Sequence, residues 1–397
     1  MKRILIMSMA LDIGGVEKSL VSLLRAVDYD LYSIDLMLVE TQGVLQQFLP
    51  KQVHVLSFPE KSNWVFIPKG KVLRSLRNAV GWNLNAVRFL YYLLKGLLMR
   101  NMGRARQQLI RAAMHTLPEI HGEYSAAIDY TGGYKAFILS RMNAAKKISW
   151  VHGDYRVFGR DKKIDRSDYE QLSAIVTVSP TCFRIFAQQF PQYYDKCCVL
   201  PNITSKANIL EMANQEEGAV FNEKHEGAIN LLDITRLDPN KGLDIAIVAC
   251  SLLVKQQKNI YWYILGDGPQ RKRVEKMIQQ AEMEDHFFLL GSRANPYPYI
   301  KRADIIVHCS RFEGRSVAVD EAMLLGKPII LTNYATAEDQ IASGVNGIIC
   351  EMSAESVCSA IKTLINAPGL MDRYKKALVD YDIGSDQSIK LFTDLVE

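Results

Sequence analysis

Short apolar runs recur along this chain, each followed by a polar turn and then by a stretch with helical spacing. The runs lie at 3–8, 33–39, 126–130, 147–151 and 174–179, and again at 229–235, 261–265, 287–290, 304–308 and 329–331. They are continuous rather than alternating, the pattern of strands buried on both faces of a parallel sheet. Between them, 16–27 places apolar residues at 16, 20, 23, 24 and 27, and 317–325 repeats that spacing before Gly326, a residue suited to ending a helix in the left-handed conformation. Further helices are expected from Ile245, from Gln270 and over 385–395. Strands alternating with helices predict an α/β protein.

The alternation breaks once. Residues 205–227 are polar and mixed in charge, with no clean strand, and the rhythm restarts at Ile229. The expected division is a domain over 1–204, a linker over 205–227, a second domain over 228–383 and a terminal helix within 384–397. A chain of 397 residues suits two domains.

Composition narrows the class. Apolar residues make up 48% and charged residues 23%, as in ordinary globular proteins. No run approaches the roughly 20 apolar residues that span a bilayer. Met1-Lys2-Arg3 is followed by too few apolar residues for a secretory signal core and reads as a strand. The seven cysteines form no C-x-x-C pair and no zinc spacing, so reduced core cysteines and the cytoplasm are expected.

The net charge of +5 is unevenly spread. From Lys61 to Pro118 there is no Asp or Glu but eleven basic residues, which leaves about −6 (5 minus 11) on the rest. Within this segment Leu84, Val87, Leu90, Tyr91, Leu94, Leu97 and Leu98 follow helical spacing, with Arg88 and Lys95 interspersed. A basic helix with one apolar face suits the surface of an anionic membrane, here its inner, cytoplasmic face. No nucleic-acid motif accompanies the charge, so nucleic acid is not expected as a partner.

Candidate chemistry sits at the ends of the apolar runs. Gly14-Gly15 joins a strand to a helix, a unit that can bring backbone amides to an anion. His152 ends the run at 147–151, at the edge where open α/β sheets bind ligands. Arg236 and Lys241 flank one turn after 229–235; a guanidinium fork and a compact ammonium there suit a diphosphate. Gly266-Asp267-Gly268-Pro269 opens another helix. Glu313 and Glu321 stand eight apart after 304–308, and ionised carboxylates accept hydrogen bonds from sugar hydroxyls. Asp28-Tyr29-Asp30 has the form of a metal-binding D-x-D but lies at a helix end, and it reads as a turn.

Together these motifs resemble the retaining family 4 glycosyltransferases. The resemblance rests on Glu313–x7–Glu321 with Ala322-Met323 and Gly326-Lys327-Pro328-Ile329-Ile330, on Arg236-Leu237 with Lys241-Gly242-Leu243-Asp244, on Gly14-Gly15-Val16-Glu17, and on Asn346-Gly347. Thr235 stands where the family most often has glycine. The resemblance is strong from 229 to 350 and loose before 150, where the family's acceptor side lies. It implies a GT-B fold, two Rossmann-like, doubly wound domains facing across a cleft, with a C-terminal helix crossing back to the N-terminal domain. It implies a nucleotide diphosphate sugar as donor and a saccharide acceptor, lipid-linked if the basic segment meets a membrane. Arg236, Lys241, Glu313 and His152 would be catalytic; Gly14, Gly15, Gly266, Gly314, Arg315, Ser316 and Glu321 would bind the donor. No metal or other cofactor is required. The competing functions are a catalytically silent scaffold on the same fold and another GT-B enzyme, such as a nucleotide-sugar epimerase or a phosphorylase.

Overall fold

The computed structural model describes residues 1–58, 66, 82–215, 221, 227–256 and 259–397. The chain forms two units. The first comprises Met1–Asp12, Val16–Pro201 and Asp386–Glu397; the second comprises Ile13–Gly15 and Asn202–Ser385.

The first unit holds strands β1 (Lys2–Ser8), β2 (Tyr32–Leu38), β3 (His54–Ser57), β4 (Ile120–Asp129), β5 (Met142–Val151), β6 (Ala174–Thr177) and β7 (Cys197–Val199). They form a parallel sheet in the order β3-β2-β1-β4-β5-β6-β7. β3 was not visible as an apolar run, because this edge strand buries little of its HVLS sequence. β4 is longer than expected: its first four residues, Ile120–Glu123, stay largely exposed, and only the second half has the apolar signature. The helix Ser385–Val396 contributes its residues from Asp386 onward to this unit, where Phe392 and Val396 are fully buried. Each such burial contributes roughly 1.5–3 kcal/mol.

The second unit holds β8 (Ile229–Ile234), β9 (Ile260–Leu265), β10 (Phe287–Gly291), β11 (Ile305–His308), β12 (Ile329–Thr332) and β13 (Ile348–Cys350). Their order is β10-β9-β8-β11-β12-β13, again all parallel. Successive residues feed opposite faces. Leu231, Trp262, Ile264, Ile305 and Val307 enter one apolar cluster, and Leu232, Tyr263, Leu265 and Ile306 enter the other. Both faces of the sheet are therefore covered, which is why its strands read as unbroken apolar runs.

The stretch expected to be a linker begins with a helix, Lys206–Ala213. Ser205 caps it by accepting from the Asn208 amide, and Ile209 packs with Leu324 and Ile383 of the same unit. The rest of that stretch lies largely outside the described residues, as do the basic residues 61, 69, 71, 74 and 77. In the basic segment two helices follow, Trp82–Leu98 and Met102–Ala113.

Candidate functional site

Each sheet has one place where strand order reverses, β1/β4 in the first unit and β8/β11 in the second. Open parallel sheets bind ligands at such switch points, beyond the C-terminal ends of the strands. In the second unit β8 and β11 lie side by side with Leu231 opposite Ile305. The loop carrying Arg236 and Lys241 leaves β8, and the loop carrying Glu313 leaves β11.

The two loops are tied together. The Arg311 amide donates to the Asn240 carbonyl at 2.8 Å, and the Arg311 guanidinium grips Asp244 with two hydrogen bonds of 2.9 and 2.6 Å. Gly242, at φ +62°, lies so close to the Cys309 carbonyl that no side chain would fit. This closeness brings Lys241 Nζ to 2.5 Å from Glu313 Oε1. Two of the four expected catalytic residues thus form an ion pair.

Glu313 is also held from below. His308 Nε2 lies 2.9 Å from the same Oε1 atom, and Ser310 Oγ donates to it at 2.6 Å. On the far side of the ring, His308 Nδ1 lies 2.8 Å from Asp233 Oδ1. Asp233 and His308 are almost wholly buried, whereas Glu313 keeps 13% of its side chain exposed. Burial alone would depress His308, but Asp233 and Glu313 outweigh it and raise the imidazole to about 9. Burial would raise the Glu313 carboxyl, but Lys241 and His308 hold it well below the ordinary carboxylate range. The charges alternate, Asp233, His308, Glu313, Lys241, and exposure rises along the series to 23% at Lys241.

Arg236 is exposed, two residues past the end of β8. Glu321 is buried on the helix Val317–Leu324, where its Oε1 accepts from the Tyr297 hydroxyl at 3.0 Å. Two backbone amides among the expected donor-binding residues have partners within the protein. The Ser316 amide donates to Gln340 Oε1 at 3.0 Å. Gln340 reaches it because its amide nitrogen is anchored on the Ser316 carbonyl and on Asp320, which also holds the Arg315 guanidinium by two bonds of 2.8 and 2.9 Å. The Gly266 amide is likewise occupied, by the Gly291 carbonyl at 2.9 Å. Gly266 instead lets two loops touch: a Cβ there would fall 2.0 Å from the Thr235 carbonyl oxygen. Gly314 and Arg315 occupy the turn between Glu313 and the helix, as expected.

His152 lies in the first unit, just past the end of β5. Its Nε2 donates to the Tyr130 carbonyl at 2.6 Å, and burial lowers its pKa to about 4, so the ring is neutral with Nδ1 as an acceptor. It lines a cavity of about 560 Å³ together with Trp150, Tyr134, Arg106, Lys135 and Arg160. Gly15 opens the helix Gly15–Ala26, and Ile13–Gly15 belongs to the second unit. Asp28-Tyr29-Asp30 is a turn, closed by the Asp30 amide on Asp28 Oδ1 at 2.9 Å. No cluster of metal-ligating side chains occurs among the described residues.

The basic segment is divided. Arg104 pairs with Asp161 at 2.8 Å and Arg111 with Asp168 at 2.5 Å, so these cations are neutralised inside the unit. The helix Trp82–Leu98 behaves differently. Leu84, Val87, Leu90, Tyr91, Leu94, Leu97 and Leu98 are all more than half exposed, with Leu98 at 86%. No helix among the described residues is long and apolar enough to cross a membrane.

Asp233, His308 and Ser310 were not anticipated as site residues. The signal was present: an Asp and a His inside otherwise apolar buried strands must find partners, because a lone buried charge is too costly.

Residues 214–378 match the family model for glycosyl transferases group 1. An uncharacterized glycosyltransferase of Methanocaldococcus jannaschii is 23% identical over 173 residues, covering 44% of this chain and 43% of its own. N-acetylgalactosamine-N,N'-diacetylbacillosaminyl-diphospho-undecaprenol 4-alpha-N-acetylgalactosaminyltransferase of Campylobacter jejuni is 25% identical over 209 residues, covering 52% of this chain and 54% of its own. The chain therefore spans only about half the length of these curated relatives. HepE of Anabaena, solved in complex with UDP and glucose, aligns over 99% of both chains with a TM-score of 0.69 and 17% identity. The fold is that of the GT-B glycosyltransferases.

Proposed function

We propose that this chain, whose residues 214–378 match the family model for glycosyl transferases group 1, is a retaining hexosyltransferase. The donor is a nucleotide diphosphate sugar, the acceptor is a lipid-linked saccharide, and the product feeds surface polysaccharide assembly. The observation that carries this reading is the ion pair between Lys241 and Glu313 at the β8/β11 switch point, with Arg236 on the same loop as Lys241. Sugar and diphosphate recognition need opposite charges within a few ångströms, and this pair supplies them. The HepE complex with UDP and glucose and the diphospho-undecaprenol substrate in the name of the Campylobacter jejuni enzyme support the donor and acceptor classes.

In this mechanism Arg236 and Lys241 face the diphosphate. As the glycosidic bond breaks, charge grows on the leaving phosphate, and both cations stabilise that state more than the bound donor. The same cations do the work that a divalent metal does in other transferases. Glu313 accepts from sugar hydroxyls, and Glu321 from the ribose hydroxyls. The neutral His152 supplies an acceptor nitrogen to the reacting sugar. The acceptor attacks the face the leaving group departs from, with the departing phosphate taking its proton, so configuration is retained.

The enzyme works peripherally on the inner face of the membrane. The exposed leucine row of the helix Trp82–Leu98, with Arg88 and Lys95 on the same helix, supports this placement.

A thermal-shift screen of nucleotide sugars should identify the donor. Arg236→Ala or Lys241→Ala should then lower kcat about 10²-fold, the scale of losing one transition-state donor. Unchanged turnover in both variants rejects the phosphate assignment. Conversion of donor without any acceptor would favour an epimerase instead.

A further inference from the structure

Glu313 accepts three hydrogen bonds on one oxygen: Lys241 Nζ at 2.5 Å, His308 Nε2 at 2.9 Å and Ser310 Oγ at 2.6 Å all converge on Oε1. Its Oε2 accepts none among the described residues, and the side chain keeps 13% of its surface exposed. Beneath it, His308 stands between two carboxylates, with Asp233 Oδ1 on Nδ1 and Glu313 Oε1 on Nε2. A neutral imidazole has one donor and one acceptor nitrogen, so it can satisfy only one of these carboxylates and must turn a lone pair on the other. Only the imidazolium donates to both.

We infer that His308 is a positioning residue, kept as an imidazolium by Asp233, that clamps Oε1 of an ionised Glu313 and so leaves Oε2 as the single acceptor presented to the donor sugar. This deepens the proposed function and rests on that reading for the identity of the ligand. The arrangement has three physical parts. Asp233 is fully buried and holds the ring by Nδ1, which fixes its rotation. Ser310 Oγ lies 3.2 Å from Nε2 as well as 2.6 Å from Glu313 Oε1, and closes the third side. The Thr336 hydroxyl donates to the Glu313 carbonyl at 3.0 Å, so the backbone under the carboxylate is held too. The charged and titratable groups facing His308 are Asp233 from β8, Glu313 from the loop after β11, Lys241 beyond Glu313, and the Tyr334 ring, whose centroid lies 6.3 Å away, edge-on. Asp233 and Glu313 both favour the proton on the ring.

The first measurement is ¹⁵N NMR of the histidine-labelled full chain across pH 6–10, with Asp233→Asn as the comparison. In the wild type both ring nitrogens of His308 should remain protonated beyond pH 8. In Asp233→Asn, which keeps the side-chain shape, the ring should become neutral at least one pH unit lower. A neutral wild-type imidazole at pH 7 overturns the inference. The second measurement is calorimetric binding of UDP-glucose and of UDP at pH 8. Because Glu313 meets the sugar and not the nucleotide, Asp233→Asn should weaken UDP-glucose at least fivefold and UDP less than twofold. A loss shared equally by both ligands would show a general disturbance of the fold and overturn the positioning role. His308→Gln, which keeps a donor toward Glu313 without the charge, gives the same comparison if Asp233→Asn folds poorly. If wild type binds neither ligand, the donor reading fails, and the NMR titration alone decides the state of His308.

Discussion

Replacing Gly242 with alanine should damage stability and chemistry together. Gly242 joins the turn Pro239–Lys241 to the helix Leu243–Val254 with φ +62° and ψ +26°, left-handed values that cost an L residue roughly 1–2 kcal/mol. The larger effect is steric. The added Cβ would lie 1.9 Å from the Cys309 carbonyl oxygen, and real Cβ contacts essentially never fall below 3.0 Å, so backbone must move by at least about 1.1 Å (3.0 minus 1.9). Neither side can yield cheaply. Cys309 follows β11 directly, and the turn is bonded to that segment through Asn240 and Arg311. Adding the displacement to the dihedral cost gives roughly 3 kcal/mol or more, within the range of backbone strain held by surrounding structure. For a unit of this size that corresponds to a melting temperature lower by about 6–12 °C. The same shift moves Lys241 relative to Glu313, and a misplacement of about 1 Å can cost about 10²-fold in rate.

The control is Gly326→Ala. Its φ is +66°, nearly the same, but nothing lies within 4 Å of the added Cβ. It should cost only the dihedral term, about 1–2 kcal/mol, with turnover intact. Circular-dichroism melting and donor turnover on both variants measure the difference. Equal losses in the two would refute the steric argument, and a Gly242→Ala enzyme with wild-type melting and turnover would refute both parts.

Stability should also depend on alkaline pH through His308. Its folded-state pKa is raised to about 9, so its contribution is complete below about pH 6.5 and is lost as pH rises toward 9. The amount is at most about 3.5 kcal/mol (2.5 pH units at about 1.4 kcal/mol each); a wild-type melting temperature that falls no more than that of His308→Gln over this window would contradict it. Glu313 acts in the opposite sense: its lowered pKa adds stability above the ordinary carboxylate range that disappears only at strongly acid pH. Glu321→Ala should raise the donor KM roughly 10-fold or more, the cost of a hydrogen bond to a charged group, and a change confined to kcat would contradict a ribose role. Changing Leu90, Leu94 and Leu97 to Glu should abolish flotation with anionic liposomes, whereas equal flotation of wild type and variant would end the membrane reading.

Ten of the strands were legible because parallel strands buried on two faces leave continuous apolar runs, whereas the three-residue edge strands β7 and β13 were too short to read; β8, β9, β10 and β11 match the runs to within a residue or so. The edge strand β3 was not, since half-exposed residues such as His54 and Val55 carry no such pattern. The positions of Arg236, Lys241 and Glu313 were also legible, as residues in loops that follow strands, and that of Glu321, on the helix after Glu313. What each one touches was not. Lys241 meets Glu313, 72 residues away, because β8 and β11 are neighbours across a reversal of strand order. The occupied amides of Ser316 and Gly266 depend on Gln340 and Gly291 in the same way. Local pattern predicts an element, while partners across a sheet are fixed by topology.

The membership of Asp386–Glu397 in the first unit bears on how this protein is made. A ribosome releases β1 to β7 some 185 codons (386 minus 201) before it reaches the segment that carries the buried Phe392 and Val396, so until then this unit lacks two of its buried apolar side chains. The second unit, continuous from Asn202 to Ser385 apart from its three-residue segment near the N-terminus, meets almost no such delay and can mature first. The unit begun first is thus the last to be completed, and a nascent chain halted anywhere before residue 386 should be a substrate for chaperones that recognise exposed apolar surface.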